Sequence, residues 1–172
     1  RLSSEYGYRY FVVDKERDEE GKIISSTYIR EMLADGNIIK ANKLLGYYYF
    51  VTGTVQHGNA IGHTKLYPTA NLIPPAVKHL PKFGVYVTRV TVDGKTYGGL
   101  TNVGAKPTIA GENPVGVETY LYNFEGDLYG KDMKVELLDF VRPEMKFESI
   151  DALKAQLDHD IKECQRRYLE FA

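Results

Sequence analysis

The sequence predicts a mainly β protein, a six-stranded antiparallel Greek-key barrel with a C-terminal α-helix and short N-terminal helices. Between Tyr49 and Phe140, short runs rich in Val, Tyr and Thr alternate with turns that contain Gly, Pro or Asn, a pattern typical of an all-β unit. The 172 residues include 14 Tyr and 7 Phe but no Trp, and tyrosine favours the half-buried surface of a sheet. A chain of this length fits one main domain with at most a short appendage.

The N-terminal part predicts one strand and two short helices ahead of the barrel. Arg9–Val13 is an apolar run that predicts a strand, and the charged stretch Asp14–Lys22 predicts a solvated loop. From Ser25 onward the apolar residues recur every three or four positions, which is the spacing of a helix. The first helix is predicted to end at Gly36 and the second at Gly46, since glycine commonly follows the last helical residue.

Six short runs of β-branched and aromatic residues predict the barrel strands. Asp93-Gly94 separates two of them and favours a tight hairpin. Residues 133–137 alternate between apolar and charged side chains, which places Lys134 and Glu136 on a predicted solvated face. About six such strands within some 90 residues indicate a small closed or nearly closed Greek-key barrel. The predicted strands are Tyr49–Val55, Ala70–Ile73, Val85–Val92, Thr96–Val103, Gly116–Tyr122 and Met133–Val141.

The last segment predicts one amphipathic helix packed on the barrel. Ser149 is placed to cap its start, and charged residues fill the positions between the apolar ones. The single cysteine, Cys164, lies on the apolar stripe, so its predicted role is that of a small core residue. The stripe is formed by Ile150, Leu153, Leu157, Ile161, Cys164 and Tyr168.

Composition excludes several classes of function. The 22 Lys and Arg against 23 Asp and Glu give a net charge of −1, which counts against a nucleic-acid-binding barrel and leaves no polybasic patch for a membrane. No apolar run approaches the roughly 18 residues of a membrane span. A single cysteine excludes an internal disulfide and a thiolate zinc site, so nothing points to an oxidising compartment and a cytoplasmic location is predicted.

A glycine-rich stretch is the first candidate for a functional site. Gly53, Gly58 and Gly62 lie before and within His57–Asn71, and glycines let backbone amides approach a phosphate chain closely. The stretch has neither the Walker pattern nor a dinucleotide fingerprint. An ordinary turn is therefore the alternative.

Thr69 and Asn71 are candidate metal ligands. Two residues apart on an extended segment, they project a hydroxyl and an amide oxygen to the same side. Magnesium prefers oxygen ligands and is usually completed by substrate phosphates, so two neutral ligands could suffice when ATP supplies the rest. Alternatively, these side chains only satisfy backbone groups of a turn.

Glu118 is the candidate base. It lies in an aromatic-rich strand, VGVETYLY, on the same predicted face as Tyr120 and Tyr122. A carboxylate in such surroundings is suited to taking a proton from an attacking hydroxyl. The alternative is a surface glutamate of a strand.

These motifs, in this order, resemble the riboflavin kinase family, from Gly46 to the C-terminus. The combination of P-T-A-N, D-L-Y-G and R-P-E is highly specific. The resemblance implies ATP:riboflavin 5′-phosphotransferase activity with Mg²⁺, in which riboflavin and ATP give FMN and ADP. The motifs that carry it are the glycine-rich loop, Pro68–Asn71, Phe83–Tyr86, Asn102–Gly104 with Pro107-Thr108, Glu118, Asp127–Gly130, and Arg142–Glu144 with Phe147.

The resemblance also implies a role for each candidate residue. Thr69 and Asn71 would be magnesium ligands, and Glu118 would activate the ribityl 5′-hydroxyl. Arg142 with its flanking loop, and the loop Asn102–Thr108, would form mobile flaps that close on the flavin and the nucleotide. The loop that covers the ATP phosphates would include Gly53, Gly58, Gly62, His63 and Thr64.

The sequence departs from the family pattern in this loop. Where the family commonly reads G-R-T-x-G-F-P-T-A-N, His63 replaces the arginine, Lys65 and Leu66 replace an apolar residue and the second glycine, and Tyr67 replaces the phenylalanine. Tyr120 also stands where a histidine often follows the catalytic glutamate. A catalytically impaired, flavin-binding regulatory module is therefore the alternative function.

The segment Ile24–Arg30 looks like the end of the adenylyltransferase domain that precedes this kinase in bacterial bifunctional FAD synthetases. The sequence therefore predicts two parts, residues 1–45 as a remnant of that domain with linker helices and residues 46–172 as the kinase domain. A start at Arg1 fits a C-terminal portion of a longer chain. No His-x-Gly-His-like motif in a βα context is present, so FAD synthesis is expected only of a parent polypeptide that carries the upstream adenylyltransferase domain.

Overall fold

The computed structural model describes residues 2–56, 67–105 and 115–171. One six-stranded sheet dominates this part of the chain. Every strand predicted for the barrel overlaps an observed one, because the local alternation and the turn residues mark each strand clearly. The strands are β1 Phe50–Thr54, β2 Ala70–Leu72, β3 Gly84–Val92, β4 Lys95–Ala105, β5 Val115–Leu121 and β6 Asp132–Pro143.

The predicted Greek-key barrel is confirmed. The strand order is β1-β6-β3-β4-β5-β2, and all neighbours are antiparallel. Strands β3, β4 and β5 pair in succession and β6 returns to lie beside β3, which is the Greek-key connection. Just beyond the edge strand β1, the Gln56 amide donates to the carbonyl of Asn71 in the other edge strand, β2, at 2.9 Å, so the barrel is nearly closed.

Two local predictions for the strands can be compared with the structure. Asp93 and Gly94 have φ angles of 50° and 71°, and this left-handed pair forms the hairpin that joins β3 to β4. The predicted solvated face of β6 is wrong at Glu136, which is only 9% exposed. Its carboxylate is covered because Arg89 and Lys134 both bind it, at 2.7 Å each.

The described residues form four helices, α1 Leu2–Tyr6, α2 Ser26–Asp35, α3 Ile38–Leu45 and α4 Ile150–Tyr168. Helices α2, α3 and α4 were expected from the sequence, whereas α1 was not. The predicted strand Arg9–Val13 is wrong: Phe11 and Val12 are 85% and 83% exposed, and among the described residues no strand pairs with this segment. An apolar run becomes a strand only where a neighbouring strand can pair with it.

The core lies on two sides of the sheet. Inside the barrel, Tyr86 and Val90 belong to a buried cluster that also includes Leu33, Ile38 and Ala41 of α2 and α3. On the outer face, Cys164 of α4 joins a second cluster with residues of β3, β4 and β6, which confirms the core role predicted for Cys164. Helix α4 therefore covers one outer face of the barrel.

No helix among the described ranges has the length and apolar character that a membrane crossing requires.

Candidate active site

A row of facing residues crosses five strands on the outer face of the barrel. Asn71 of β2 lies opposite Glu118 of β5, and Glu118 lies opposite Asn102 of β4. The row continues through Val85 of β3 to Arg142 of β6. Directly opposite residues share one face of a sheet, so the register assembles four of the predicted site residues from four different strands.

A cavity of about 310 Å³ opens beside this row. Its lining brings together Thr69, Asn102, Glu118 and Arg142, all of which the sequence singled out. We call it the Glu118 cavity. Its remaining walls are mainly aromatic and apolar, and they include Tyr67, Tyr120, Phe147, Leu153 and Leu157.

A second cavity of about 410 Å³ lies on the other side of Thr69. We call it the Leu128 cavity, because the D-L-Y-G motif contributes Leu128 and Tyr129 to its walls, next to Phe124. Thr69 and Tyr120 line both cavities. The site therefore consists of two compartments that meet at these two residues.

Glu118 is half-buried and shares the wall of its cavity with Tyr67 and Tyr120. The ring of Tyr120, two residues further along β5, lies 5.2 Å from that of Tyr67 and 5.9 Å from that of Tyr122, between ring centroids. Tyr120 is thus packed on both sides at the junction of the two cavities. Glu144, which follows Arg142 in the R-P-E motif, is a second carboxylate in the wall of the Glu118 cavity.

Thr69 and Asn71 contact each other through a side chain and the backbone. The Asn71 side-chain amide donates to the Thr69 carbonyl at 3.4 Å. Thr69 is exposed at the junction of the cavities, whereas Asn71 is buried and lies opposite Glu118 without lining either cavity. Within the described ranges, no group of three or more His, Cys, Asp or Glu residues could hold a metal ion. The hydroxyl and amide oxygens of these two residues are nevertheless ligands that magnesium accepts.

Arg142 is anchored to helix α4 by a contact that the sequence analysis missed. Its Nε donates to Asp160 Oδ2 at 2.9 Å and its Nη2 to the same oxygen at 2.7 Å. Asp160 is 1% exposed, and Gln156 donates to its other oxygen at 2.8 Å. A signal for Asp160 did exist, since this charged residue precedes the buried Cys164 by four positions and so shares its face of the helix.

Tyr67 is tied to the same helix. Its hydroxyl donates to the Asp158 carboxylate, and this hydrogen bond, together with burial, raises the pKa of Tyr67 above its ordinary value. The contact attaches the residue just before P-T-A-N to α4. The sequence had marked Tyr67 only as a departure from the family's phenylalanine, and the spacing along the chain gave no sign of its partner.

Not every predicted site residue lies where it was expected. Gly53 lies in β1 opposite Met133 and lines neither of the two cavities. Asn102 was expected at the start of a flap loop but lies within β4, because both neighbouring strands pair with it. The predicted residues Gly58, Gly62, His63, Thr64, Lys65, Leu66, Pro107 and Thr108 lie outside the described residues.

The family profile and the relatives in sequence both name a riboflavin kinase. The sequence profile of the family described as "Flavokinase: Riboflavin kinase" matches residues 45–168. A bifunctional riboflavin kinase/FMN adenylyltransferase of Listeria monocytogenes is 38% identical over 149 residues, which cover 87% of this chain and 47% of that protein. The protein of the same name from Escherichia coli K12 is 41% identical over 143 residues, 83% of this chain and 45% of its own length. The chain thus spans about half the length of these relatives.

Two solved structures share the fold. The structure titled "Crystal Structure of Macrolide-efflux Protein from Streptococcus pneumoniae" has a TM-score of 0.82 at 38% identity, covering 95% of this chain and 53% of its own. A riboflavin kinase from Trypanosoma brucei has a TM-score of 0.51 at 23% identity, over 69% of this chain and 75% of its own. The second likeness supports the barrel fold alone.

Proposed function

Because the chain belongs to the riboflavin kinase family, we propose that it transfers the γ-phosphoryl group of ATP to the 5′-hydroxyl of riboflavin, giving FMN and ADP. One observation carries the proposal: two cavities meet at Thr69 and Tyr120, and Glu118 lies in one of them. Direct transfer between two substrates requires neighbouring compartments with a shared boundary, since phosphoryl transfer depends mainly on alignment and charge neutralisation.

The character of the walls supports one assignment of the two substrates. The Glu118 cavity combines aromatic walls with the polar side chains Asn102 and Arg142, which suits a flat flavin ring with polar atoms along one edge. Val55, near the start of the predicted phosphate-binding loop, and Pro68, which follows the loop, line the Leu128 cavity. We therefore assign riboflavin to the Glu118 cavity and ATP to the Leu128 cavity.

Glu118 is proposed as the general base. As the ribityl oxygen forms its new bond to phosphorus, its proton passes to the Glu118 carboxylate, and the electron pair of the broken P–O bond leaves with ADP. A positioned base of this kind contributes about 10²–10⁴-fold to the rate. The row of facing residues places Asn71 and Asn102 on either side of Glu118, so neutral side chains flank the carboxylate along the row.

Thr69 and Asn71 are proposed to hold the magnesium ion of the ATP complex. They supply hard oxygen atoms, and Thr69 lies where the two cavities meet, so the residues present fit the ion. When bound, magnesium would neutralise charge on the phosphate oxygens. Gly53, Gly58, Gly62, His63 and Thr64 stay predictions for the nucleotide loop.

The longer protein is proposed to make FAD as well. The relatives of about twice the length are named as bifunctional, and we infer that residues 46–172 are the kinase domain and residues 1–45 the tail of an adenylyltransferase domain joined to it. Riboflavin and ATP are the proposed partners, with neither nucleic acid nor membrane among them. The cytoplasmic location stays a prediction.

The activity is tested by incubating the chain with riboflavin, ATP and Mg²⁺ and separating the flavins chromatographically. FMN is expected from the unaltered chain, and Glu118→Gln is expected to lose most turnover while it still binds riboflavin. Glu31→Gln is the matched control, since Glu31 is an exposed residue of α2 that lines neither cavity. A folded, riboflavin-binding chain that makes no FMN would contradict the proposal, and full turnover in Glu118→Gln would remove Glu118 from the role of base.

A further inference from the structure

The guanidinium of Arg142 is held along one of its edges by helix α4. Nε and Nη2 both donate to the Asp160 carboxylate, and the side chains of Arg142 and Asp160 are 16% and 1% exposed. A side-on pair of this kind fixes the plane of the guanidinium as well as its position, which a lysine in the same place could not do.

The opposite edge of the guanidinium is still available. Of the five N–H groups of arginine, two donate to Asp160 and one on Nη1 donates to the Pro143 carbonyl at 2.9 Å. One N–H on each terminal nitrogen is left, and within the described ranges neither has a hydrogen-bond partner. Because Arg142 lines the Glu118 cavity, this edge can serve a ligand with carbonyl acceptors.

We propose that Asp160 is a positioning residue for substrate binding: it orients Arg142 so that the two remaining N–H groups donate to the carbonyl edge of riboflavin. The proposal rests on the function proposed above. Asp160 lines neither cavity, and it therefore acts through Arg142 and not by touching the substrate.

Stability alone does not account for this pair. The desolvation of two buried charges offsets most of their mutual attraction, so a buried ion pair adds little net stability. A second pair also ties the same strand to the same helix: Arg167 of α4 donates to Asp139 of β6 at 2.9 Å. In this second pair the arginine lies on the helix and the aspartate on the strand, the reverse of Arg142 and Asp160. Neither Arg167 nor Asp139 lines the Glu118 cavity.

The two pairs provide a matched experiment. Asp160→Asn and Asp139→Asn each remove one carboxylate charge from the junction of β6 and α4, and riboflavin affinity is measured for both by quenching of flavin fluorescence without ATP. Asp160→Asn is expected to raise the riboflavin Kd about tenfold, because a misaligned hydrogen bond to a charged group costs about that factor. Asp139→Asn is expected to leave the Kd within about twofold of the unaltered chain.

Kinetics separate positioning from general damage. Arg142 is proposed to hold the flavin ring equally in the ground state and the transition state, so Asp160→Asn should raise the KM for riboflavin with kcat and the KM for ATP nearly unchanged. If Asp160→Asn does not fold, the riboflavin Kd of a second variant, Gln156→Leu, is measured instead. It removes the hydrogen bond to the other Asp160 oxygen, and a rise of about threefold in the riboflavin Kd is expected.

The outcomes distinguish the proposals. Equal riboflavin affinity in Asp160→Asn and the unaltered chain overturns the positioning role alone, as does an equal loss of affinity in Asp139→Asn. If Gln156→Leu is the variant measured, an unchanged riboflavin Kd overturns the positioning role. A chain that binds no riboflavin at all overturns the proposed function, and the positioning role with it.

Discussion

Replacing Thr101 by Val is expected to destabilise the protein by about 2–6 kcal/mol, although the side chains have nearly the same shape. Thr101 lies inside the barrel at the centre of a chain of three hydroxyl groups. Its Oγ1 lies 2.9 Å from that of Thr88 and 2.9 Å from that of Thr119. All three residues are 0% exposed, so water cannot replace a lost partner.

The magnitude follows from what each substitution leaves behind. Thr101→Val deprives the hydroxyl groups of both Thr88 and Thr119 of a partner, at about 1–3 kcal/mol for each buried unsatisfied group. Thr88→Val breaks one hydrogen bond and leaves Thr101 bonded to Thr119, which should cost only about 0.5–1.5 kcal/mol. Replacing all three threonines by valine removes all three hydroxyl groups, so none is left buried without a partner. The triple variant is therefore expected to be more stable than Thr101→Val alone.

Equilibrium unfolding in urea measures these differences, with fluorescence and circular dichroism as two probes of one transition. Thr52→Val is the matched control, since Thr52 is an exposed threonine of β1, and it should change the free energy of unfolding by less than about 0.5 kcal/mol. The reasoning is refuted if Thr101→Val costs no more than Thr88→Val, or if the triple variant is less stable than Thr101→Val.

Three further predictions concern the backbone, the metal and the helix. Gly84→Ala should lower the free energy of unfolding in urea by at least about 2 kcal/mol. At the Gly84 φ angle of 150°, the new Cβ would lie 2.2 Å from the Arg142 carbonyl oxygen. Gly94→Ala is the control and should cost less, because no atom lies within 4 Å of the Cβ that it would add. Thr69→Val should raise the Mg²⁺ concentration for half-maximal FMN formation about tenfold, and an unchanged requirement would remove Thr69 as a ligand. Hydrogen bonds from Arg166 and Arg167 lower the pKa of Glu163 from 4.5 to about 2, so the stability that these contacts add is present above pH 4.5 and lost as the pH falls toward 2. The free energy of unfolding, measured across that pH range, should depend less on pH in Glu163→Gln than in the unaltered chain. Identical pH profiles for the two proteins would contradict this role of Glu163.

The sequence by itself determined the barrel and its C-terminal helix. Alternation along each run, glycine and proline at the turns, and the change of period near Ser149 are local signals, and local signals mark where an element begins and ends. The hairpin at Asp93-Gly94 is the clearest case, because positive φ angles at both residues favour this dipeptide. Thr69 and Glu118 were also found one at a time from their positions in the sequence, whereas Asn102 and Arg142 were implied by the family resemblance.

Only the tertiary structure decided how these residues act together. The register of five strands aligns Asn71, Glu118, Asn102 and Arg142, and a shift of one residue in any strand would turn its side chain to the other face. The docking of α4 brought Asp160 to Arg142, and no strand in the described part of the chain pairs with Arg9–Val13, which is exposed. Register and docking depend on residues far apart in the chain, so the pattern of any single segment does not contain them.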